Sequence, residues 1–341
     1  MSSGDTTVFE GLTFASHPLG FTAARELFLP RLEAGLIEAA AGEGTLFSAA
    51  RYHLETGGKR IRALLPPLLA HNLGANPSQL DEALELGLAF ELIHNGTLVH
   101  DDLQDGDSQR RGKPTVWAHY GMQQAVNVGT AMLLLGLSRV LSTRVGGRII
   151  ADVNLAILRI VEGQALEFEL QESTSPTVAQ WERMSAGKTG ALFGACLLGG
   201  TRVAQGGDRA CDAAWQFGLE LGIFFQIQDD LLDLVGNKGR DAVATDIAEG
   251  KISWPVAWAT QNADPERAAR LLSIVKTRRA DTTPELVSEA LAILHASGAI
   301  AACIDNVRTQ AHALLGSPWA ALMPGLVERV VEPVRHVLSD S

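Results

Sequence analysis

Cysteine is scarce in this chain: three in 341 residues, with no C-x-x-C pair. That excludes a disulfide framework and a cysteine zinc site, so Cys196, Cys211 and Cys303 read as reduced core thiols of a cytoplasmic protein. Basic charge is also short. Lys and Arg number 28 against 39 Asp and Glu, a net charge of −11, which argues against nucleic acid as a partner. No apolar run reaches the ~20 residues that a transmembrane helix needs. The richest stretches, 131–142 and 190–200, are short and flanked or broken by Gly, Ser and Arg. Residues 1–20 lack the basic start and continuous apolar core of a secretory signal. Strand alternation between hairpin dipeptides is not evident, and no G-x-S-x-G elbow suggests a hydrolase.

What is present is helical spacing almost throughout. Apolar residues recur at helical intervals over 22–42, 44–56, 80–105, 121–141, 148–172, 177–200, 208–234, 252–262, 265–277, 283–296, 298–315 and 322–339. Breakers such as Gly57-Gly58, Asn76-Pro77, Ser175-Pro176, Gly206-Gly207 and Ser317-Pro318 separate the runs, with Ser78 and Thr177 as expected N-caps. With 46% hydrophobic residues and no linker, the expectation is one all-α domain over 21–341 behind a mobile extension, 1–20.

Two acidic clusters stand out, Asp101-Asp102-Leu103-Gln104-Asp105 and Asp229-Asp230-Leu231-Leu232-Asp233. Residues four apart share a helix face, so each cluster stacks carboxylates that repel unless cations neutralise them. Both continue apolar segments, which predicts that they face a cavity. Mg²⁺ prefers oxygen ligands and commonly binds through carboxylates together with substrate phosphates. Counter-charges lie at Lys59-Arg60-Ile61-Arg62 after the glycine pair, at Arg110-Arg111, at Lys188-Thr189-Gly190, and at Arg240 and Lys251.

These motifs, in order, resemble the trans-isoprenyl diphosphate synthases. The resemblance rests on Gly57–Arg62, Glu91-Leu92-Ile93-His94, the first acidic cluster, Arg110-Arg111-Gly112-Lys113-Pro114-Thr115, Glu162-Gly163-Gln164, Lys188-Thr189-Gly190, Phe225-Gln226 with the second cluster, and Glu249-Gly250-Lys251. It implies an all-helical bundle around a deep central cavity, of the class I isoprenoid synthase type. The implied activity is Mg²⁺-dependent 1′-4 condensation of isopentenyl diphosphate onto an allylic diphosphate by a homodimer, with the apolar 121–141 and 148–170 runs as candidate contact helices. By this resemblance Asp101, Asp105 and Asp229 are the principal metal ligands, with Asp102, Asp230 and Asp233 in or near the coordination sphere. Arg110, Lys188 and Lys251, with Arg240 or Lys238 in a segment that departs from the family pattern, hold the allylic diphosphate. Lys59, Arg62, His94 and Arg111 hold isopentenyl diphosphate, while Lys188, Thr189 and Gln226 face the allylic cation.

Bulky residues four and five positions before the first Asp stop the growing chain in this family. Here they are the small Thr97 and Gly96, so the wall falls to Ile93 and then to Phe90, ~16 Å below Asp101 at 1.5 Å per residue. That predicts geranylgeranyl diphosphate or a longer product. A class I terpene cyclase and a non-catalytic subunit of a heteromeric synthase are the competing readings. The first has no use for the isopentenyl diphosphate cations, and the second typically loses an acidic motif.

Overall fold

Helices form every long element of the computed structural model, which describes residues 12, 14–235 and 244–338. Along the chain run α1 (Phe21–Ala39), α2 (Thr45–Leu54), α3 (Ile61–Asn72), α4 (Pro77–Gln104), α5 (Val116–Tyr120), α6 (Met122–Ser142), α7 (Gly146–Glu172), α8 (Val178–Ser185), α9 (Ala191–Val203) and α10 (Asp208–Val235). There follow α11 (Thr245–Ala248), α12 (Trp254–Asn262), α13 (Pro265–Val275), α14 (Pro284–Ala296) and α15 (Ala299–Gly316), then the short α16 (Pro318–Leu322), α17 (Leu326–Val331) and α18 (Arg335–Leu338). The last three replace the single helix expected over 322–339.

Helix α4 is the axis of the bundle. It packs against α6 on one side and α3 and α9 on the other, while α10 lies along α9 and α7 packs on α9. Its first turn is set by Asn76, not by Ser78: Asn76 Oδ1 accepts from the Gln79 amide, Gln79 reciprocates, and Pro77 occupies the first turn. Thr177 caps α8 in the same way, as its spacing to Gln180 suggests.

Helix α3, which opens after the glycine pair at Gly57-Gly58, has Pro66-Pro67 inside it. A proline removes one backbone donor and crowds the preceding turn. The Ala63 carbonyl, which Pro67 cannot engage, points instead at Gly87 of α4, so close that a Cβ there would lie 2.2 Å away. The prolines are thus accommodated by a small residue on the neighbouring helix.

Residues 15–19, expected as part of a mobile extension, are docked. The Ala15 amide donates to the Asn72 carbonyl at 3.0 Å and Leu19 to Asn72 Oδ1 at 2.7 Å. Asn72 Nδ2 in turn reaches the carbonyls of Leu19 and Leu322, tying the N-terminal approach to the C-terminal helices.

Arg60 separates itself from the cations on either side. Its backbone is left-handed (φ 51°), which turns the side chain into the core to bond Glu91 at 3.1 Å, Glu33 at 3.0 Å and the Leu54 carbonyl at 2.8 Å. A buried pair broken on one side costs about 3–5 kcal/mol because the remaining charge is stranded. Arg60→Met is therefore expected to destabilise the fold by about 3 kcal/mol in denaturant titration, whereas Lys59→Met, at an exposed side chain, leaves the midpoint unchanged.

Candidate active site

The acidic turn that ends α4 and the one near the end of α10 face each other across a chamber of about 200 Å³. Asp101, Asp105 and Asp229 line it, together with Lys188, Lys251, Gln226 and Asp230. A larger cavity of about 600 Å³ shares Asp101, Lys188, Gln226 and Asp229 with it, and continues between α4, α6, α7 and α9 over Leu133, Ile157, Ile160, Phe168 and Leu192. One end is charged and the other apolar.

The six acidic residues are not equivalent. Burial, then the neighbouring Asp101, pushes the Asp105 carboxyl up to about 6. Asp102 is also pushed up to about 6, by burial working against Arg110, whose Nε donates to its Oδ1 at 2.6 Å. Asp230 accepts from the Trp254 amide at 2.8 Å and from Gln226 at 3.3 Å. Asp233 accepts from the Thr245 hydroxyl at 2.6 Å and the Asp246 amide at 3.0 Å. Asp102, Asp230 and Asp233 thus fasten the segments that follow each motif, while Asp101, Asp105 and Asp229 line the chamber. Among the described residues no three His, Cys, Asp or Glu side chains form a ready cation cage. All-oxygen donors on facing helices, short of a full cage, fit Mg²⁺ shared with a phosphate ligand.

The cations are held by those same carboxylates. Lys188 lies in a π-helical turn, Ala186–Gly190, between α8 and α9, a distortion frequent at functional sites. Its Nζ is 3.1 Å from Asp101 and also contacts Glu167, and these acids hold its pKa above the usual lysine value against burial. Lys251 lies 3.0 Å from Glu249 and 3.9 Å from Asp105. Glu249 also receives Arg279, which bonds Asp107 at 3.3 Å across the chamber mouth. Sequence reasoning missed Glu167, Asp107 and Arg279, and it gave Glu249 no role although that residue stands in the Glu249-Gly250-Lys251 motif.

Close helix contact sets the turn that carries Thr189 and Gln226. A Cβ on Gly222 of α10 would lie 2.3 Å from Gly190 Cα, so only glycine lets the two backbones meet there. Thr189 then donates to Gln226 Oε1 at 3.4 Å, and both line the large cavity.

The isopentenyl diphosphate set is only partly gathered. Arg62 and His94 line the large cavity beside Arg110. Burial and Arg62 keep His94 neutral, so its Nε2 accepts from Arg62 Nη1 at 3.2 Å. Arg62 stacks 4.4 Å above the Phe193 ring, and its buried Nε has no hydrogen-bond partner. Lys59 lines a separate cavity of about 100 Å³ with Arg25, Arg329 and Asp229. Arg111 lies outside both, its Nη1 3.4 Å from Thr56 Oγ1. A two-strand hairpin causes that split: Gln109–Arg110 pairs with Lys113–Pro114 around Arg111-Gly112, both at positive φ, so Arg110 turns in and Arg111 out. Arg240 lies outside the described residues.

The expected chain-length wall also needs correction. Of its four residues only Thr97 lines the cavity. Gly96 faces α6, where a Cβ would lie 2.8 Å from the Gly129 carbonyl. Ile93 packs against Gly136 and Phe90 against Gly199. Helical phase keeps Phe90 and Ile93 near the face of Thr97, and it is their packing against the glycines of α6 and α9 that takes them out of the lining. The apolar walls come from α6 and α7, with Leu192 of α9 and Phe225 of α10.

The chain matches the model of a family described as polyprenyl synthetase over residues 43–294. It belongs to that family. It is 35% identical over 257 residues to a short chain isoprenyl diphosphate synthase of Methanocaldococcus jannaschii, covering 74% of this chain and 77% of the relative. It is 34% identical to a geranylgeranyl diphosphate synthase of Mycobacterium tuberculosis, covering 80% and 78% of the two chains. The fold superposes on the crystal structure of geranylgeranyl pyrophosphate synthetase from Pyrococcus horikoshii with a TM-score of 0.79 at 27% identity, over 94% of this chain and 98% of that one. The fold is therefore the all-α isoprenoid synthase type, as the helical periodicity and the ordered motifs implied.

Two outcomes follow from this geometry. Asp105 has its carboxyl raised by folding, so its stability contribution is complete below pH ~4 and is lost as pH rises through about 6. Metal-free Asp105→Asn is expected to melt with the parent at pH 4 and roughly 2 °C above it at pH 7; equal midpoints at both pH values contradict this. Phe90→Ala, in the core and not the cavity, is expected to cost ~3–5 kcal/mol by chemical denaturation without changing product length. Ile157→Ala, on the cavity wall, lengthens the product on chromatography with little loss of stability.

Proposed function

We propose that this protein is a Mg²⁺-dependent trans-prenyltransferase that condenses isopentenyl diphosphate with allylic diphosphates, giving geranylgeranyl diphosphate or a longer polyprenyl diphosphate. The observation that carries it is the pair of facing acidic turns with Lys188 and Lys251 between them, opening onto an apolar cavity of about 600 Å³. That volume lies within the ~300–1,000 Å³ of cavities that hold small organic ligands.

The allylic diphosphate sits between Asp101, Asp105 and Asp229, where Mg²⁺, when bound, neutralises charge developing on the leaving group. Lys188, Lys251 and Arg110 contribute fixed positive charge to the same oxygens. The C–O bond breaks and the diphosphate departs with the electron pair. The allylic cation lies against the Thr189 hydroxyl and the Gln226 amide, weak dipoles without nucleophilic strength. Arg62 and neutral His94 hold isopentenyl diphosphate so that its double bond attacks the cation, forming one C–C bond. The released diphosphate takes the proton then lost. The apolar walls exclude the water that would quench the cation.

Arg62 supports this assignment independently of the acidic motifs. A buried guanidinium facing a neutral histidine, with one N–H unmatched, is costly unless an anion completes it. Homodimerisation and a cytoplasmic location belong to the same reading. Large apolar side chains left exposed on α6 and α7 support the first.

The deciding assay supplies Mg²⁺, isopentenyl diphosphate and, separately, dimethylallyl, geranyl or farnesyl diphosphate, with products dephosphorylated and sized. Elongation of at least one starter is expected. None with any starter overturns the proposal, and a cyclic product formed without isopentenyl diphosphate indicates a cyclase. Arg62→Met is expected to raise KM for isopentenyl diphosphate more than tenfold while leaving KM for the allylic substrate within twofold.

A further inference from the structure

Among the described residues, two side chains that line the large cavity keep a buried nitrogen without a hydrogen-bond partner: Arg62 Nε and Gln164 Nε2. Arg62 has its role above. Gln164 belongs to Glu162-Gly163-Gln164, a motif that the proposed reaction leaves unused. Its side chain is well enclosed, with the residue only 9% exposed. The neighbours on α7 that line the cavity with it, Ile160, Val161, Ala165 and Phe168, offer no side-chain acceptor. By contrast, the Gln226 amide is engaged at both ends, its oxygen by Thr189 and its nitrogen by Asp230. A buried amide left unmatched is costly, which points to a ligand that completes it.

The position of Gln164 along α7 selects the part of the ligand that it meets. Gly163 lets α7 press against the π turn, where a Cβ would lie 2.3 Å from the Lys188 amide nitrogen. Gln164 follows directly and lines the cavity together with Lys188 and Thr189, at the neck that leads to the chamber. Glu167, ~4.5 Å along the axis in one direction, lines the chamber and contacts Lys188. Ile160, ~6 Å in the other direction, lines the apolar part. The amide stands where charged and apolar linings meet.

We infer that Gln164 is a catalytic residue whose amide N–H donates to the ester oxygen of the allylic diphosphate, the atom that joins diphosphate to prenyl chain. This inference rests on the prenyltransferase reading above. With the diphosphate in the chamber and the hydrocarbon in the cavity, that oxygen lies at the neck. The prenyl chain offers no comparable acceptor, and the anion of isopentenyl diphosphate is met by Arg62. When the C–O bond breaks, its electron pair stays on the ester oxygen, and the hydrogen bond strengthens as negative charge grows there. No proton moves in this step: Gln164 keeps its N–H, and the diphosphate departs with the full pair. An amide suits the neck because it is neutral and too weak a nucleophile to trap the allylic cation. A donor placed where charge develops acts on the transition state more than on the bound substrate, so it raises the rate and not the affinity.

The test uses the full chain with Gln164→Met, which keeps the length without a donor, and Gln164→Glu, which keeps the shape but only accepts when ionised. Melting midpoint without ligands, single-turnover rate with the starter that the parent elongates best, both KM values and product size are read together. Gln164→Met is expected to melt at or above the parent, because an unmatched buried amide has been removed. Its single-turnover rate is expected to fall at least tenfold, with both KM values within threefold and product length unchanged. Gln164→Glu is expected to lose at least tenfold in the same rate. A lower midpoint or a lost fold in Gln164→Met overturns the inference, because the amide then has a partner within the protein. A parental rate in either variant overturns it too, as does a loss expressed chiefly in either KM or in product length. Failure of the parent to elongate any starter is distinct, since it removes the prenyltransferase reading itself and this inference with it.

Discussion

Carboxylate crowding at the ends of two long helices is the constraint on which the rest of the site depends. Asp101, Asp102 and Asp105 share little more than one turn of α4, and burial raises the cost of each charge. The fold meets that cost differently for each member. Asp102 takes Arg110 from the hairpin, Asp101 takes Lys188 from the π turn, and Asp105 has Lys251 at 3.9 Å with the charge of Lys188 nearby. Burial still outweighs both cations at Asp105, so added positive charge gains there. The cations serve two functions at once: they hold the acidic turns together, and they are placed for an anionic ligand to share.

This arrangement depends on backbones meeting closely. The π turn brings Lys188 and Thr189 to one rim, and Gly163 of α7 permits it, since a Cβ there would lie 2.3 Å from the Lys188 amide nitrogen. Gly190 and Gly222 do the same for Thr189 and Gln226 across α9 and α10. Small residues at these crossings contribute no chemistry of their own. They set the distance at which hydroxyl, amide and ammonium converge, and a single methyl would separate them.

Much of the site was legible because its chemistry is local in sequence. An acidic turn five residues long, or Lys188-Thr189 before Gly190, carries its meaning in its own spacing. What was not legible depends on direction. Lys59, Arg60 and Arg62 read as one basic cluster, yet the left-handed backbone at Arg60 sends it into the core and leaves Arg62 facing the cavity. Phe90, Ile93 and Gly96 lie at the right depth below Asp101, but they are packed against glycines of α6 and α9 instead of lining the cavity. Depth follows from residue counting, whereas facing depends on which helices pack alongside. The prolines of α3 likewise depend on a neighbouring helix, since the residue that accommodates them is Gly87 of α4.

The same distinction bears on product length. A wall made by α4 alone would be a property of one helix, open to counting residues back from Asp101. The cavity is instead lined by Leu133, Ile157, Ile160 and Val161 from two helices that also carry several exposed large apolar side chains. A prenyl chain growing away from the diphosphate site meets side chains whose backs are exposed, and such side chains move unless something supports them. A rigid limit on length therefore requires a rigid backing. In this molecule the carboxylates and lysines around Asp101 and Asp229 all come from one chain, while part of the apolar lining, at Val161, reaches the surface.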